Sequence, residues 1–180
     1  VFTTTPPNIA DIRSGTIDVA LFTGKGEWPG LETHFMFPNE FQPVCSPEFL
    51  RNHQLRSPED LSSVTLLHSI MRPQDWSRWI DGAGARSVNP MAGMNFESSA
   101  LAYEAASNGM GVAIGINSLV DDDIKHGRLI PVFDYIHRDE TSYYLVHSTK
   151  LSDDARIKRF RNWVLNECLL NPGALAVGMN

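Results

Sequence analysis

The chain has 180 residues and a net charge of −6, because 21 acidic side chains outnumber 15 basic ones. This acidic balance argues against a nucleic-acid reader, which needs a basic face. Hydrophobic residues make up 42% of the chain, enough for a buried core, yet no apolar run reaches the length of a membrane-spanning helix.

Strand patterns alternate with helix patterns along the chain. Runs of β-branched, aromatic and apolar residues predict strands at residues 1–5, 17–22, 32–36, 41–45, 65–68, 93–96, 111–115, 129–133 and 143–147. Capping residues and apolar spacings of three or four predict helices at residues 8–14, 98–108 and 119–126, and helices that begin after residues 46, 57, 73 and 152. Residues 171–180 read as a loose tail. The alternation predicts an α/β fold with a largely parallel sheet.

Two side-chain patterns predict the core. Trp76, Trp79 and Ile80 have the spacing of one helix face, which favours core packing over a ligand cage. Cys45 lies in an apolar stretch that suits a buried residue, and Cys168 is far from it in sequence. We therefore expect two reduced thiols and no disulfide.

Motifs for catalysis and cofactors are absent from the sequence. It contains no nucleophile elbow, phosphate-binding loop or zinc-protease helix, so we predict no catalytic residue and no cofactor. The six histidines have no metal-ligand spacing, so we predict no metal site, although one assembled from distant positions stays open. We interpret Asp121, Asp122 and Asp123 as a solvated helix face.

One segment points to a ligand. The predicted strand at residues 93–96 leads into Glu97, Ser98 and Ser99, where a helix begins. Backbone N–H groups and the helix dipole at such a start favour an anionic or polar ligand group. Ser98 could equally be a simple helix cap, and both interpretations stay open.

Ten short segments occur in an order that identifies a family. They are Asp18–Leu21, Trp28–Leu31, Pro43–Pro47, Leu66–His68, Asp75–Trp79, Phe96–Ser99, Ala105 with Gly109–Ala113, Gly127–Leu129, Tyr143–Val146 and Phe160–Val164. This series closely resembles the effector-binding (substrate-binding) domain of LysR-type transcriptional regulators, in particular the glycine-cleavage-activator-like branch. The resemblance extends to about Leu170.

The resemblance implies a fold of two Rossmann-like lobes joined by two crossover strands, similar to type II periplasmic binding proteins. The crossovers would be Gln42–Cys45 and Tyr143–Val146. Lobe I would hold residues 1–43 and 147–180, and lobe II residues 44–146. The winged helix-turn-helix of the family, and the strand-helix unit that begins lobe I, have no counterpart in this sequence. Because the chain also starts without methionine, we expect a fragment of a longer protein.

The resemblance also implies a binding cleft between the lobes. The matching cleft positions are Thr4, Thr5, Thr23, Gly24, His68, Phe96, Glu97, Ser98 and Ser99. The matching hinge positions are Val44, Cys45, Leu145 and Val146. Many relatives carry aspartate where Glu97 stands.

The function implied is small-molecule sensing rather than catalysis. A carboxylate or amino-acid-like effector would bind in the cleft and control promoter DNA binding through the absent N-terminal domain. The full-length protein would be a cytoplasmic homodimer or homotetramer with no membrane partner. The alternatives are a transporter's solute-binding protein, which has the same fold, and an enzyme of that shape, for which the sequence offers no acid/base pair.

Overall fold

The computed structural model describes residues 7–170, which form two compact units. Unit 1 contains residues 7–39 and 139–170, and unit 2 contains residues 40–138. The predicted strand at residues 1–5 and the predicted tail at residues 171–180 lie outside the described residues.

The described elements alternate between strands and helices. The strands are β1 (Val19–Gly24), β2 (Leu31–Cys45), β3 (Leu66–Ser69), β4 (Met94–Phe96), β5 (Val112–Ile116), β6 (Ile130–Pro131) and β7 (His137–Ser148). The helices are α1 (Ile9–Ser14), α2 (Pro47–Asn52), α3 (Asp75–Ala83), α4 (Ser99–Ser107), α5 (Asn117–Lys125) and α6 (Ala155–Leu170). Short 3-10 turns cover Pro58–Ser63 and Thr149–Leu151.

Unit 1 is built on the antiparallel pair of β1 and β7. Val19 lies opposite His147 at one end of this pair, and Gly24 lies opposite Ser142 at the other end. Helix α1 covers the pair, and its Ile12 packs with Ala20 in a small apolar core. β7 is also hydrogen-bonded to β2, so the first part of β2 completes the strand layer of this unit.

Unit 2 contains the parallel part of the fold. β3 pairs in parallel with both β4 and β5, so the carboxyl ends of three strands lie at one edge. β2 pairs antiparallel with β5 and with β6. Helix α4 packs Ala102 and Ala106 against Leu67 and Ala113 of the sheet. This packing holds the amino end of α4 at the carboxyl edge of β3 and β4.

Local end signals correctly predicted several helices. Asn8 caps α1, and Gly15 ends it in the left-handed conformation with φ of 85°. Ser46 caps α2 ahead of Pro47, as predicted. The predicted core residues of α3 are confirmed, since Trp76, Trp79 and Ile80 are all buried.

The predicted largely parallel sheet is wrong. The apolar run Ile17–Phe22 predicts a parallel strand buried on both faces, but β1 pairs antiparallel with β7, and Ala20 is the one buried residue of this strand. The predicted strands at 32–36 and 41–45 are one continuous strand, β2. Pro38 does not end it, because the fixed φ of proline is compatible with extended backbone.

The predicted start of the last helix is also wrong. The sequence predicts Ser152 as its cap, but α6 begins at Ala155. The Asp154 carboxylate accepts a hydrogen bond from the Arg156 N–H at 2.8 Å, while the Ser152 hydroxyl is shared between two other acceptors, the Thr149 carbonyl at 2.7 Å and the Glu32 carboxylate. Asp154 therefore supplies the side-chain acceptor at the helix start.

The chain passes between the two units along β2 and β7. The division falls after Asn39 and after Arg138, earlier along both strands than the lobe boundaries expected after Pro43 and Val146. Within residues 7–170, no helix is both long and apolar enough to span a membrane.

Candidate functional site

The carboxyl end of β3, which pairs with β4, lines a small cavity in unit 2. Ser69, the last residue of β3, lies opposite Phe96, the last residue of β4. Ligands of α/β proteins usually bind beyond this end of parallel strands. The cavity is lined by Leu67, His68, Ser69, Arg72, Asp75, Trp76, Ser99, Ala102, Tyr103 and Ile114.

The amino end of α4 forms one wall of this cavity. The Ser98 hydroxyl accepts a hydrogen bond from the Leu101 N–H at 3.3 Å, so Ser98 is the helix cap. Ser99 is the first helical residue and lines the cavity. The first N–H groups of a helix lack intrahelical partners and carry the positive end of its dipole. This wall therefore favours a negatively charged ligand group.

Ser69 supplies an unsatisfied polar group to the cavity. Its side-chain oxygen is buried and has no hydrogen-bond partner, the one such buried atom found in residues 7–170. A buried hydroxyl without a partner costs roughly 1–3 kcal/mol of stability. The Ser69 hydroxyl is thus positioned to form a hydrogen bond that folding itself does not supply.

An ion pair lines another part of the cavity. The Arg72 guanidinium donates two hydrogen bonds to the Asp75 carboxylate, from Nε to Oδ2 and from Nη2 to Oδ1 at 3.1 Å. Both side chains are mostly buried, with 17% and 10% exposed respectively. Arg72 also lies over the ring of Phe41, 5.9 Å from its centre. The pair therefore places opposite charges side by side in fixed positions.

Three other side chains of the cavity, those of His68, Trp76 and Tyr103, are hydrogen-bonded to backbone groups. The Nε2 atom of His68 lies 2.7 Å from the Ala92 carbonyl oxygen. The indole of Trp76 donates to the Leu67 carbonyl, and the Tyr103 hydroxyl accepts from the Ile116 N–H. These bonds hold the cavity wall in one arrangement.

The predicted cleft residues fall into two groups in the structure. His68, Phe96, Ser98 and Ser99 come together at the carboxyl edge of β3 and β4 in unit 2. Glu97 lies in the same connection, and its side chain is exposed.

Thr23 and Gly24 end β1 in unit 1. Trp28 packs so closely on Gly24 that an added Cβ would lie 2.6 Å from its ring. Thr4 and Thr5 are outside the described residues.

The predicted hinge residues Val44, Cys45, Leu145 and Val146 are fully buried in β2 and β7. Burial raises the pKa of the Cys45 thiol to about 11. Both cysteines are free thiols, as the sequence predicted.

Sequence reasoning missed Ser69, Arg72, Asp75 and Tyr103. No motif marks them, because they become neighbours only through the pairing of β3 with β4 and the packing of α4.

Sequence reasoning also missed a separate cluster in unit 1, where Glu32, His34 and His147 place possible metal-binding atoms within 4.8 Å of one another. Glu32 and His34 belong to β2, whereas His147 belongs to β7 and lies 113 positions after His34 in the sequence.

Comparison with known proteins decides the family. The family model described as the LysR substrate binding domain matches residues 1–169. The chain belongs to this family. Its resemblance to LysR-type regulators, inferred from ten short segments, is therefore confirmed.

Curated members of the family are transcriptional regulators. The glycine cleavage system transcriptional activator of Escherichia coli is 36% identical over 156 residues, which is 86% of this chain and 51% of that protein. The HTH-type transcriptional activator AmpR of Pseudomonas aeruginosa is 30% identical over 164 residues, 88% of this chain and 52% of that protein. The chain thus spans about half the length of the curated relatives it matches.

Solved structures of the family share the fold. The effector domain of AmpR from Pseudomonas aeruginosa matches with a TM-score of 0.72 and 28% identity, covering 93% of this chain and 78% of that one. The AmpR effector-binding domain of Citrobacter freundii matches with a TM-score of 0.72 and 25% identity, covering 87% and 77%. The chain is therefore an effector-binding domain with the type II periplasmic-binding-protein-like fold. The predicted fold class is confirmed, with a mixed sheet in place of a largely parallel one.

Proposed function

We propose that the chain is the sensing part of a bacterial transcriptional regulator. In the full-length protein, a small effector would control promoter binding through a winged helix-turn-helix outside this sequence. The names of the relatives support this proposal, since AmpR is an HTH-type transcriptional activator. Such a regulator acts at the chromosome, so we propose that it is located in the cytoplasm. We also propose that it forms a homodimer or homotetramer.

We propose that the effector binds at the carboxyl edge of β3 and β4. The observation that carries this assignment is the buried Ser69 hydroxyl, which lacks a partner within the protein. A ligand oxygen that accepts its hydrogen bond would remove a cost that folding leaves in place. Thr4, Thr5, Thr23 and Gly24 remain predicted effector contacts, and the four hinge positions remain predictions as well.

The chemistry of the cavity favours a small amino-acid-like effector. Its carboxylate would lie at the amino end of α4, where Ser69 and Ser99 can donate hydrogen bonds. The ammonium group of the effector would lie beside the Asp75 carboxylate. The Arg72 guanidinium would attract the carboxylate of the effector. Glycine is the smallest probe with both groups, and one relative is named for the glycine cleavage system.

Calorimetric titration of the 180-residue chain tests the site. Glycine, alanine, acetate and succinate form the panel, with methylammonium to separate the contribution of an ammonium group. We expect a carboxylate of this panel to bind, and Ser69→Ala to weaken its binding about tenfold, the effect of losing about 1.4 kcal/mol of hydrogen bonding.

Ser107→Ala is the matched control, because its hydroxyl bonds the Glu104 carbonyl at the far end of the same helix. We expect this variant to bind as the unmodified chain does. Failure of every carboxylate to bind, or equal affinity of Ser69→Ala and the unmodified chain, would contradict the ligand assignment.

The regulatory role is tested separately with the full-length protein. We expect an electrophoretic mobility shift of promoter DNA from its own gene region, with an effector-dependent change in affinity or footprint. Ligand coupling between two arrangements of a regulator typically amounts to about 1–3 kcal/mol. Full-length protein that binds its ligand but no DNA would favour the alternative, a transporter's solute-binding protein.

A further inference from the structure

Glu32, His34 and His147 form a compact cluster in unit 1, apart from the cavity of unit 2. Glu32 and His34 are two positions apart on β2, so their side chains leave the same face of the strand. His147 comes from β7, which is hydrogen-bonded to β2. The topology therefore brings a carboxylate and two imidazoles to one point.

The donor atoms are spaced as zinc ligands are spaced. The Nε2 atoms of His34 and His147 are 3.1 Å apart, and Oε2 of Glu32 lies 3.9 Å from the first and 3.5 Å from the second. In a tetrahedral zinc site with bonds of about 2.0–2.2 Å, donor atoms lie roughly 3.4 Å apart. The three separations differ from this value by about half an ångström at most.

Two of the three side chains are already oriented by partners outside the cluster. Nδ1 of His147 lies 3.0 Å from the Ser148 carbonyl oxygen, which can only accept, so this nitrogen carries the proton and directs the lone pair of Nε2 into the cluster. The other carboxylate oxygen of Glu32, Oε1, accepts a hydrogen bond from the Ser152 hydroxyl. Metal-binding histidines and carboxylates are typically held by such outer contacts.

Burial and charge set the conditions for an ion at this point. His147 is fully buried, and the side chains of His34 and Glu32 are 22% and 37% exposed, which leaves a path from solvent. The positive charge of Arg161 disfavours a cation at His34, and the negative charge of Glu32 favours one.

We propose that Glu32, His34 and His147 bind one Zn²⁺ ion, with the fourth coordination position taken by water. Two imidazole nitrogens and one carboxylate oxygen are a ligand set that zinc uses in proteins, and imidazole disfavours Mg²⁺ and Ca²⁺. The ion would link β2 to β7 within unit 1. Without a metal, Nε2–H of His34 would donate to Nε2 of His147 instead.

Calorimetric titration with ZnCl₂ tests this proposal on the 180-residue chain, after removal of any histidine tag and treatment with chelator. We expect one ion per chain and no comparable binding of MgCl₂. His34→Ala should abolish the binding, and Ser152→Ala should weaken it about tenfold by releasing Glu32. His34 is chosen over His147 because its side chain is partly exposed, so its removal disturbs the fold less.

His126→Ala is the matched control, since this exposed histidine follows the end of α5 and its ring contacts the carbonyl and the carboxylate of Asp122. It should keep full zinc binding, and circular dichroism should show that each variant is folded. Absence of zinc binding, or binding that His34→Ala leaves unchanged, would overturn the proposal. Displacement of zinc by an equal concentration of Mg²⁺ would also overturn it.

Discussion

Replacing Ser69 with alanine should stabilise the folded chain. The substitution removes a buried hydroxyl that has no partner, a group that costs roughly 1–3 kcal/mol. The void left by one oxygen atom is small and costs about 0.3 kcal/mol. We therefore expect the free energy of unfolding to rise by about 1–2 kcal/mol, and the melting temperature by roughly 2–8 °C.

Ser46→Ala provides the comparison of opposite sign. Ser46 is also buried, but its hydroxyl oxygen accepts a hydrogen bond from the Phe49 N–H at 3.2 Å and caps α2. Loss of this cap should lower the free energy of unfolding by about 1 kcal/mol. Urea unfolding measures both variants, and equal m-values ensure that the same transition is compared. If Ser69→Ala is destabilised as much as Ser46→Ala, the hydroxyl has a partner and the reasoning fails.

Three further predictions concern unit 2. Gly93→Ala should lower the free energy of unfolding by more than about 2 kcal/mol, because φ is 123° and the new Cβ would lie 2.0 Å from the Leu66 carbonyl oxygen. Gly127→Ala is its control, because the new Cβ would have no atom within 4 Å, and it should cost only about 1 kcal/mol in the same urea assay. Arg72→Gln should cost about 3 kcal/mol by leaving the mostly buried Asp75 carboxylate without its cation, and the double variant with Asp75→Asn should recover part of that loss; no recovery would show that the two residues act independently. Because burial raises the pKa of Cys45 to about 11, iodoacetamide at pH 8 should label this thiol only after unfolding in urea, as mass spectrometry would detect.

Helix ends were predictable because their signals are local. Asn8 and Gly15 around α1, and Ser46 before α2, act on backbone groups only a few residues away. The direction of strand pairing depends on distant partners. The run Ile17–Phe22 is compatible with either direction, and its antiparallel pairing follows from where β7 returns. Sequence order alone does not contain that information.

The site was only partly predictable for the same reason. The start of α4 at Ser98 and Ser99 was visible, because a strand runs directly into a capping residue. Ser69 has an ordinary sequence context, and its significance arises from the burial of one oxygen atom. The cluster of Glu32, His34 and His147 likewise depends on two strands lying side by side, which the spacing of histidines along the chain does not reveal.

The unpartnered hydroxyl of Ser69 has a practical consequence for engineering. A screen that ranks variants by heat resistance would enrich alanine at this position, since the folded chain gains from losing the oxygen. If that oxygen binds the effector, the most thermostable variants from such a screen would respond poorly to the effector. A biosensor derived from this domain should therefore be selected for response first and for robustness second.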